Sequence, residues 1–140
     1  MPDDIVITTD RPERAELLRL YNAVGWTAYT RDPNRLAQAV AGSQLVLCAR
    51  TGSGSLVGLA RAVSDGAVIC YLQDILVDPA FHRKGVGRRL LDAALQRYRD
   101  VRQFVLLTDD DEAQRALYRS AGLVRSDELG LHAYLRAPSG

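Results

Sequence analysis

The sequence predicts an α/β chain of the α+β kind, a mixed and twisted sheet flanked by helices, and three observations carry that prediction. Short apolar runs separated by tight-turn residues follow one another from Gln44 to Val77. The last of them passes through a glycine-bearing turn into an amphipathic helix, and a further strand-like run follows that helix. Strands joined by tight turns are antiparallel, whereas a strand, a crossover helix and a strand of the same sheet close right-handed and parallel. At 140 residues the chain is read as one domain, 1–140, long enough to bury roughly 70% of its unfolded surface without staples.

In order along the chain, Ile5 to Thr8 alternates as a first strand, and Pro12 stands where a helix start tolerates it. Leu17, Leu18 and Tyr21 recur at helical spacing up to Gly25, and Gly25, Trp26 and Tyr29 follow as a loop. Asp32-Pro33 opens a second helix with Leu36, Ala39 and Val40 on its apolar face, stopped by Gly42. Gln44 to Ala49 reads as a buried strand, Thr51 to Ser55 as a hairpin loop, Leu56 to Val63 as the return strand and Asp65-Gly66 as a second tight turn. Ala67 to Val77 is a long apolar strand broken by Gln73 and Asp74. Val86, Leu90, Ala94 and Tyr98, with Leu91 and Leu95, then mark the buried face of a helix. Val101 to Thr108 is the parallel strand, and Asp109 caps a helix with Glu112 three residues on, closed by Gly122. Leu123 to Arg125 and Leu131 to Leu135 read as a closing pair of strands around Gly130.

Composition excludes several classes. Hydrophobic content of 47% with 25% charged is that of a globular protein rather than a disordered or collagen-like one. With 18 basic and 17 acidic residues, net +1, no global field draws the chain onto nucleic acid or membrane, so an anion site must be local. Asp3, Asp4, Arg11, Glu13 and Arg14 interrupt any signal-peptide core, and no apolar run reaches the ~18 residues of a membrane span, so a cytoplasmic protein is expected. Cys48 and Cys70 lie in apolar runs without metal or redox spacing and read as buried small hydrophobes.

Chemistry concentrates in the stretch from Tyr71 to Leu91, YLQDILVDPAFHRKGVGRRLL. Its core sets Gly85, Val86 and Gly87 among His82, Arg83, Lys84 and Arg88 at the expected first turn of a helix. Backbone N–H groups there lack intrahelical partners and the helix dipole is positive, so an anion binds well; a solvated basic face is the plain alternative for Arg83, Lys84 and Arg88. A dinucleotide fingerprint needs a third glycine where Leu90 stands and a tighter crossing than DPAFHRK, and a nucleotide P-loop needs Gly-Lys-Ser/Thr, which is absent. Asp74 is a carboxylate in the middle of an apolar strand, which must be paired, carry a raised pKa or face a wet cleft. In a regular strand Gln73 and Asp74 point to opposite faces, so only one reaches a pocket unless a bulge intervenes. The acidic run Thr108 to Glu112 reads as dipole complement and cap rather than as a metal site.

The turn HRKGVG resembles the pyrophosphate-binding turn of the GNAT superfamily of N-acetyltransferases, whose pattern is Gln or Arg, two residues, Gly, any residue, then Gly or Ala. DILVDP, Asp74 to Pro79, resembles the strand that leads into it, and AQRALYRSAGL, Ala113 to Leu123, is similar to the AxxLYxxxGF helix of that superfamily. The resemblance covers Leu56 to Leu123, and the helical N-terminal part more loosely. LVGLARAVSD, Leu56 to Asp65, and LYNAVGW, Leu20 to Trp26, also resemble the serotonin N-acetyltransferases of plants and cyanobacteria.

The resemblance implies a GNAT-type acyl-CoA N-acyltransferase fold with acetyl-CoA as co-substrate beside the Ala67 to Val77 strand, and no metal. Main-chain groups of Ile75, Leu76 and Val77 would pair with the pantetheine arm, and His82, Arg83, Lys84, Gly85, Val86, Gly87 and Arg88 would hold the pyrophosphate. Tyr118 matches the tyrosine that protonates the departing thiolate, as a phenol with a pKa near ~10 is protonated at neutral pH, or it is a core aromatic beside Leu117 and Ala121. The superfamily's frequent glutamate twelve residues ahead of that tyrosine is replaced by Leu106, which leaves Asp74 as candidate general base or structural carboxylate, with Tyr71 and His132 more remote. Asp111 stands where many relatives carry an asparagine that contacts coenzyme A. Trp26 and Tyr29 fall on the acceptor side, to line an amine pocket or to pack a loop.

The function implied is direct acetyl transfer from acetyl-CoA to a small-molecule amine, with no nucleic acid or membrane partner. A non-catalytic acyl-CoA-binding or regulatory module of the same fold is the alternative. The identity of the amine is not written in the sequence, and homodimerisation through sheet edges or the C-terminal strands stays open.

Overall fold

The structure, a computed structural model, describes residues 4–137. Its elements are β1 (Val6–Thr9), α1 (Arg14–Ala23), α2 (Thr27–Thr30), α3 (Pro33–Ala41), β2 (Leu45–Arg50), β3 (Leu56–Ser64), β4 (Ile69–Val77), α4 (Val86–Arg97), β5 (Gln103–Leu106) and α5 (Glu112–Ser120). Among the described residues they form one five-stranded sheet in the order β1-β2-β3-β4-β5. β1 to β4 pair antiparallel and β5 joins β4 parallel, the mixed sheet that the crossover through α4 requires. The chain divides into two compact units, one up to Leu107 and one from Thr108 on.

In the first unit both faces of the sheet are covered, which is why β2 and β3 read as unbroken apolar runs rather than alternating ones. On one face Leu17, Leu20 and Tyr21 of α1 and Leu36 and Val40 of α3 pack with Val46, Cys48, Leu56, Leu59 and Leu76. On the other, α4 lays Val86 and Leu90 over Gly58, where an added Cβ would stand 3.2 Å from each and from Ala49. Full burial of a leucine contributes about 1.5–3 kcal/mol, and Leu20, Leu56, Leu59 and Leu90 of these two layers are fully buried. Arg50, at the end of β2, ties β1 to α1: its guanidinium donates to Asp10 at 3.0 Å and to Glu16 at 2.9 Å.

Local chemistry explains the boundaries. Asp32 caps α3 by accepting from the Arg35 N–H at 3.2 Å, with Pro33 in the first turn. Asp65 folds the β3–β4 turn by accepting the N–H groups of Ala67, Val68 and Ile69. The loop expected over Gly25 to Tyr29 contains the short helix α2, because Gly25 at φ +81° ends α1 and lets the chain turn straight into a new one.

In the second unit Asp111, not Asp109, caps α5, accepting from the Ala113 N–H at 2.7 Å. Gly122 at φ +92° closes it, with Leu123 N–H on the Tyr118 carbonyl and Gly122 N–H on the Arg119 carbonyl. The closing pair of strands is not formed. Ser126–Leu129 is a 3₁₀ turn ended by Gly130 at φ +73°, Leu131 N–H bonds back to Ser126, and residues 131–137 are irregular, with Leu131, Tyr134 and Leu135 exposed. The glycine-capped turn pairs the N–H groups of Gly130 and Leu131 locally. No described helix is long and apolar enough to cross a membrane.

Candidate active site

β4 is paired unequally on its two sides. Its β3 side is laddered from Cys70 to Val77, whereas its β5 side is laddered only from Ile69 to Leu72. Beyond Leu72 the strand therefore presents one extended backbone edge, Gln73 to Val77, with no strand beside it among the described residues. Such an edge can take up an extended chain bearing alternating donors and acceptors. Ile75, Leu76 and Val77 lie on it.

A bulge sits at the start of that edge. Arg61 pairs with Asp74 and Ala62 with Leu72, so Gln73 has no partner on β3. The extra residue breaks the alternation: Cys70 and Leu72 share a face with Ala62, while Asp74 and Leu76 share the opposite face with Leu59 and Arg61. Gln73 and Asp74 thus reach the same group, Tyr29. The Tyr29 hydroxyl donates to Asp74 Oδ1 at 3.0 Å, and Gln73 Nε2 donates to the Tyr29 oxygen at 3.4 Å.

Around Asp74 the polar groups form a closed set. Arg61 Nε donates to Oδ2 at 2.6 Å and the Tyr21 hydroxyl donates to the same oxygen at 2.9 Å. Arg61 and Asp74 are 7% and 3% exposed, so this is a buried ion pair. Arg61 also donates to Ser43 Oγ at 3.3 Å, and Ser43 donates to the Ala39 carbonyl at 2.8 Å. Burial first, and the Asp74 charge second, hold both Tyr21 and Tyr29 phenols above the usual tyrosine range. Trp26, Tyr21 and Tyr29 pack as an aromatic trio, with centroids 5.3 Å apart for the two tyrosines and 6.1 Å for Trp26 and Tyr29. Trp26 and Tyr29 therefore pack on the core and are half-buried.

From the open edge the chain runs directly into the glycine turn. Asp78 caps the 3₁₀ turn Pro79–Phe81, accepting from the Ala80 N–H at 2.9 Å. His82 Nε2 donates to the Val77 carbonyl at 3.0 Å, which ties the turn to the strand end. Arg83 (φ +64°) and Gly85 (φ +76°) are both left-handed. For arginine that conformation costs on the order of 1 kcal/mol and is kept where surrounding structure demands it. α4 begins at Val86, its first bond running from Arg89 N–H to the Gly85 carbonyl, so the amides of the preceding turn lie outside its ladder at the positive end of the helix. No acidic residue stands in that first turn. Lys84 Nζ lies 5.9 Å over the Phe81 ring, and Arg88 Nε donates to Asp92 at 2.9 Å.

In the second unit Tyr118 is the buried residue of α5. Burial pushes its phenol up from the usual value, partly offset by a hydrogen bond with Thr108, so it is protonated at neutral pH. Asp111 spends one carboxylate oxygen on the helix cap.

Structure thus brings together Trp26, Tyr29 and Asp74 in one cluster, and Ile75 to Arg88 in one strand–turn–helix passage. Sequence reasoning missed Arg61 and Tyr21. Arg61 was legible in principle, because it and Asp74 are opposite charges set singly in consecutive apolar strands joined by a tight turn.

Comparison with known proteins agrees with this geometry. The family described as "Acetyltransferase (GNAT) family" matches residues 11–123. The chain is 30% identical over 125 residues to the histone acetyltransferase TAP1 of Glycine max, covering 81% of this chain and 52% of that protein. It is 39% identical over 80 residues to the N-alpha-acetyltransferase RimI of Mycobacterium tuberculosis, covering 55% of this chain and 50% of that protein. The chain spans about half the length of these curated relatives. A solved GNAT-family acetyltransferase from Streptococcus pneumoniae superposes with a TM-score of 0.85 at 30% identity, covering 98% of this chain and 100% of that one. An aminoglycoside acetyltransferase from a soil metagenome, solved with sisomicin, shares the fold with a TM-score of 0.69 at 21% identity, covering 96% and 97%. With the family matched across most of its length and the open strand, left-handed turn and helix of its central passage in place, the chain belongs to the GNAT family of acetyltransferases.

Proposed function

We propose that this protein is an N-acetyltransferase that moves the acetyl group of acetyl-CoA directly to a small-molecule amine. The observation that carries the reading is the continuity of an unpaired strand edge, Gln73 to Val77, with a left-handed turn at Arg83 and Gly85 opening α4. An extended amide-bearing arm pairs with the edge through Ile75, Leu76 and Val77, and its pyrophosphate meets the amides of Gly85, Val86, Gly87 and Arg88 and the side chains of Arg83 and Lys84. His82 ties this passage to the strand end through the Val77 carbonyl. The family match crosses from the first unit into the second, which supports treating 1–140 as one catalytic domain.

Coenzyme A leaves as a thiolate, and Tyr118, protonated at neutral pH, is the acid assigned to it. Asp74 is the base, since Leu106 offers none at the position where relatives often carry a glutamate. Relatives named for a histone, an α-amino group and an aminoglycoside point to acceptors of different kinds, so the amine is to be found by screening.

Thiol release from acetyl-CoA, measured with a panel of arylalkylamines, polyamines, amino acids and peptides, tests the reading. At least one amine should raise release above background, and Tyr118→Phe should lower it by about 100-fold or more at neutral pH. The closed hydrogen-bond set on Asp74 favours one rival, a module that binds acetyl-CoA without transfer. Tight binding by calorimetry with no amine-dependent release would establish the rival instead.

A further inference from the structure

Asp74 meets the rest of the protein through three hydrogen-bonding side chains. The side chain is 3% exposed, so no acceptor nitrogen touches it directly. Oδ2 is held by Arg61 Nε and by the Tyr21 hydroxyl, and Tyr21 is itself fully buried. Oδ1, the oxygen away from the guanidinium bond, is covered by the hydroxyl of Tyr29. Tyr29 is half-buried, stands on the short helix α2 beside the bulge, and also accepts from Gln73. Its oxygen has one donor bond to Asp74, one long contact from Gln73, and further lone-pair capacity for an incoming N–H.

Building on the N-acetyltransferase reading above, we propose that Tyr29 is the proton relay between the acceptor amine and Asp74. The ammonium N–H proton passes to the Tyr29 oxygen as the phenolic proton passes to Asp74 Oδ1. The freed amine nitrogen forms the C–N bond to the acetyl carbon, the C–S bond breaks, and the sulfur takes up a proton as the new amide nitrogen loses its second one. Asp74 then returns its proton through Tyr29 to water. The balance is one ammonium and one acetyl-CoA giving one N-acetyl amine, one free thiol and one proton, which needs no further reactant. Burial and the facing carboxylate keep Tyr29 in its hydroxyl form between turnovers, as a relay requires. The hydrogen-bonding groups that face Asp74 are Arg61 from β3, Tyr21 from α1 and Tyr29 from α2; the pair with Arg61 leaves the resting cluster without net charge, and the Arg61 charge is uncompensated only while Asp74 holds the proton.

Tyr29→Phe keeps the ring in the aromatic trio and removes the relay oxygen. With an amine that wild type acetylates, wild-type kcat/KM should hold up at pH values well below the amine's own pKa. In Tyr29→Phe the acid limb should move up to the amine's pKa and kcat should fall by about 100-fold or more, with KM for acetyl-CoA unchanged. Asp74→Asn should shift the limb in the same direction, and the double variant should be no slower than the slower single one, as for groups acting as one unit. Superimposable pH profiles for wild type and Tyr29→Phe, or losses that multiply in the double variant, overturn the relay alone. A wild type that acetylates no amine overturns the relay together with the transferase reading.

Discussion

Arg61 of β3 and Asp74 of β4 stand directly opposite each other in the sheet, Nε to Oδ2 at 2.6 Å, each the single charge within an otherwise apolar stretch of strand. Removing one partner leaves the other charged and buried, so Arg61→Ala or Asp74→Ala should destabilise the fold by about 3–5 kcal/mol. Replacing both with apolar residues, as in Arg61→Met with Asp74→Leu, should recover part of that loss. Recovery stays incomplete because the Tyr21 hydroxyl then lacks an acceptor. Denaturant midpoints for the three variants measure the ordering.

The Arg50 cluster predicts a pH dependence at the acid end. Hydrogen bonds from Arg50, and secondarily from Thr8, hold the Asp10 carboxyl down to about 2 against burial, and Glu16 is lowered by the same guanidinium. A carboxylate whose folded pKa is depressed contributes stability that is present above its unfolded pKa and lost as pH falls through the folded one. Urea midpoints should therefore fall between about pH 4 and pH 2, and the fall should be shallower in Asp10→Asn. An equal slope in both proteins would show that the cluster does not carry the acid transition.

Gly58 has no room for a side chain. A methyl group there would press on Ala49, Val86 and Leu90 at 3.2 Å each, one in β2 and two in α4. Gly58→Ala should cost about 1–3 kcal/mol in thermal or chemical denaturation. It should also weaken acetyl-CoA binding by calorimetry, because the helix it displaces begins at the glycine turn.

Gly85 presents the opposite case. Nothing lies within 4 Å of an added Cβ, but its φ is +76°, so the strain is conformational and not steric. Gly85→Ala should lower stability by about 1–2 kcal/mol while lowering acetyl-CoA affinity more than an exposed substitution elsewhere on α4. Equal affinity in the variant would separate the turn from anion binding.

Burial pushes the thiol of Cys48 up to about 12 and that of Cys70 up to about 11. Neither forms thiolate at neutral pH, so both should react with an aromatic disulfide reagent only on unfolding. Fast labelling of the native protein would contradict their placement in the core.

Much of the molecule was legible in the order of residues because the forces involved are local. Asp32-Pro33 announces α3, Asp65-Gly66 the β3–β4 turn, and the 3.6-residue period of Val86, Leu90 and Ala94 the face α4 buries. The parallel pairing of β5 followed from the handedness of a crossover connection. The C-terminal strands were misread: Leu131 to Leu135 has apolar content suited to a strand, but Gly130 closes a turn that bonds the Leu131 N–H back to Ser126.

Sequence by itself determined where a strand, a glycine turn and a helix start would meet, since glycine spacing, basic residues and a helix start fall there within seven positions of one another. What surrounds Asp74 was decided only by tertiary structure. Its partners come from α1, α2 and β3, brought in by packing over separations of 13 to 53 residues, and the bulge at Gln73 turns two neighbours that alternation would part toward one hydroxyl. Periodicity records which face a residue takes in a regular strand; where a strand gains a residue, the partner strand sets the face, and no local pattern carries that information.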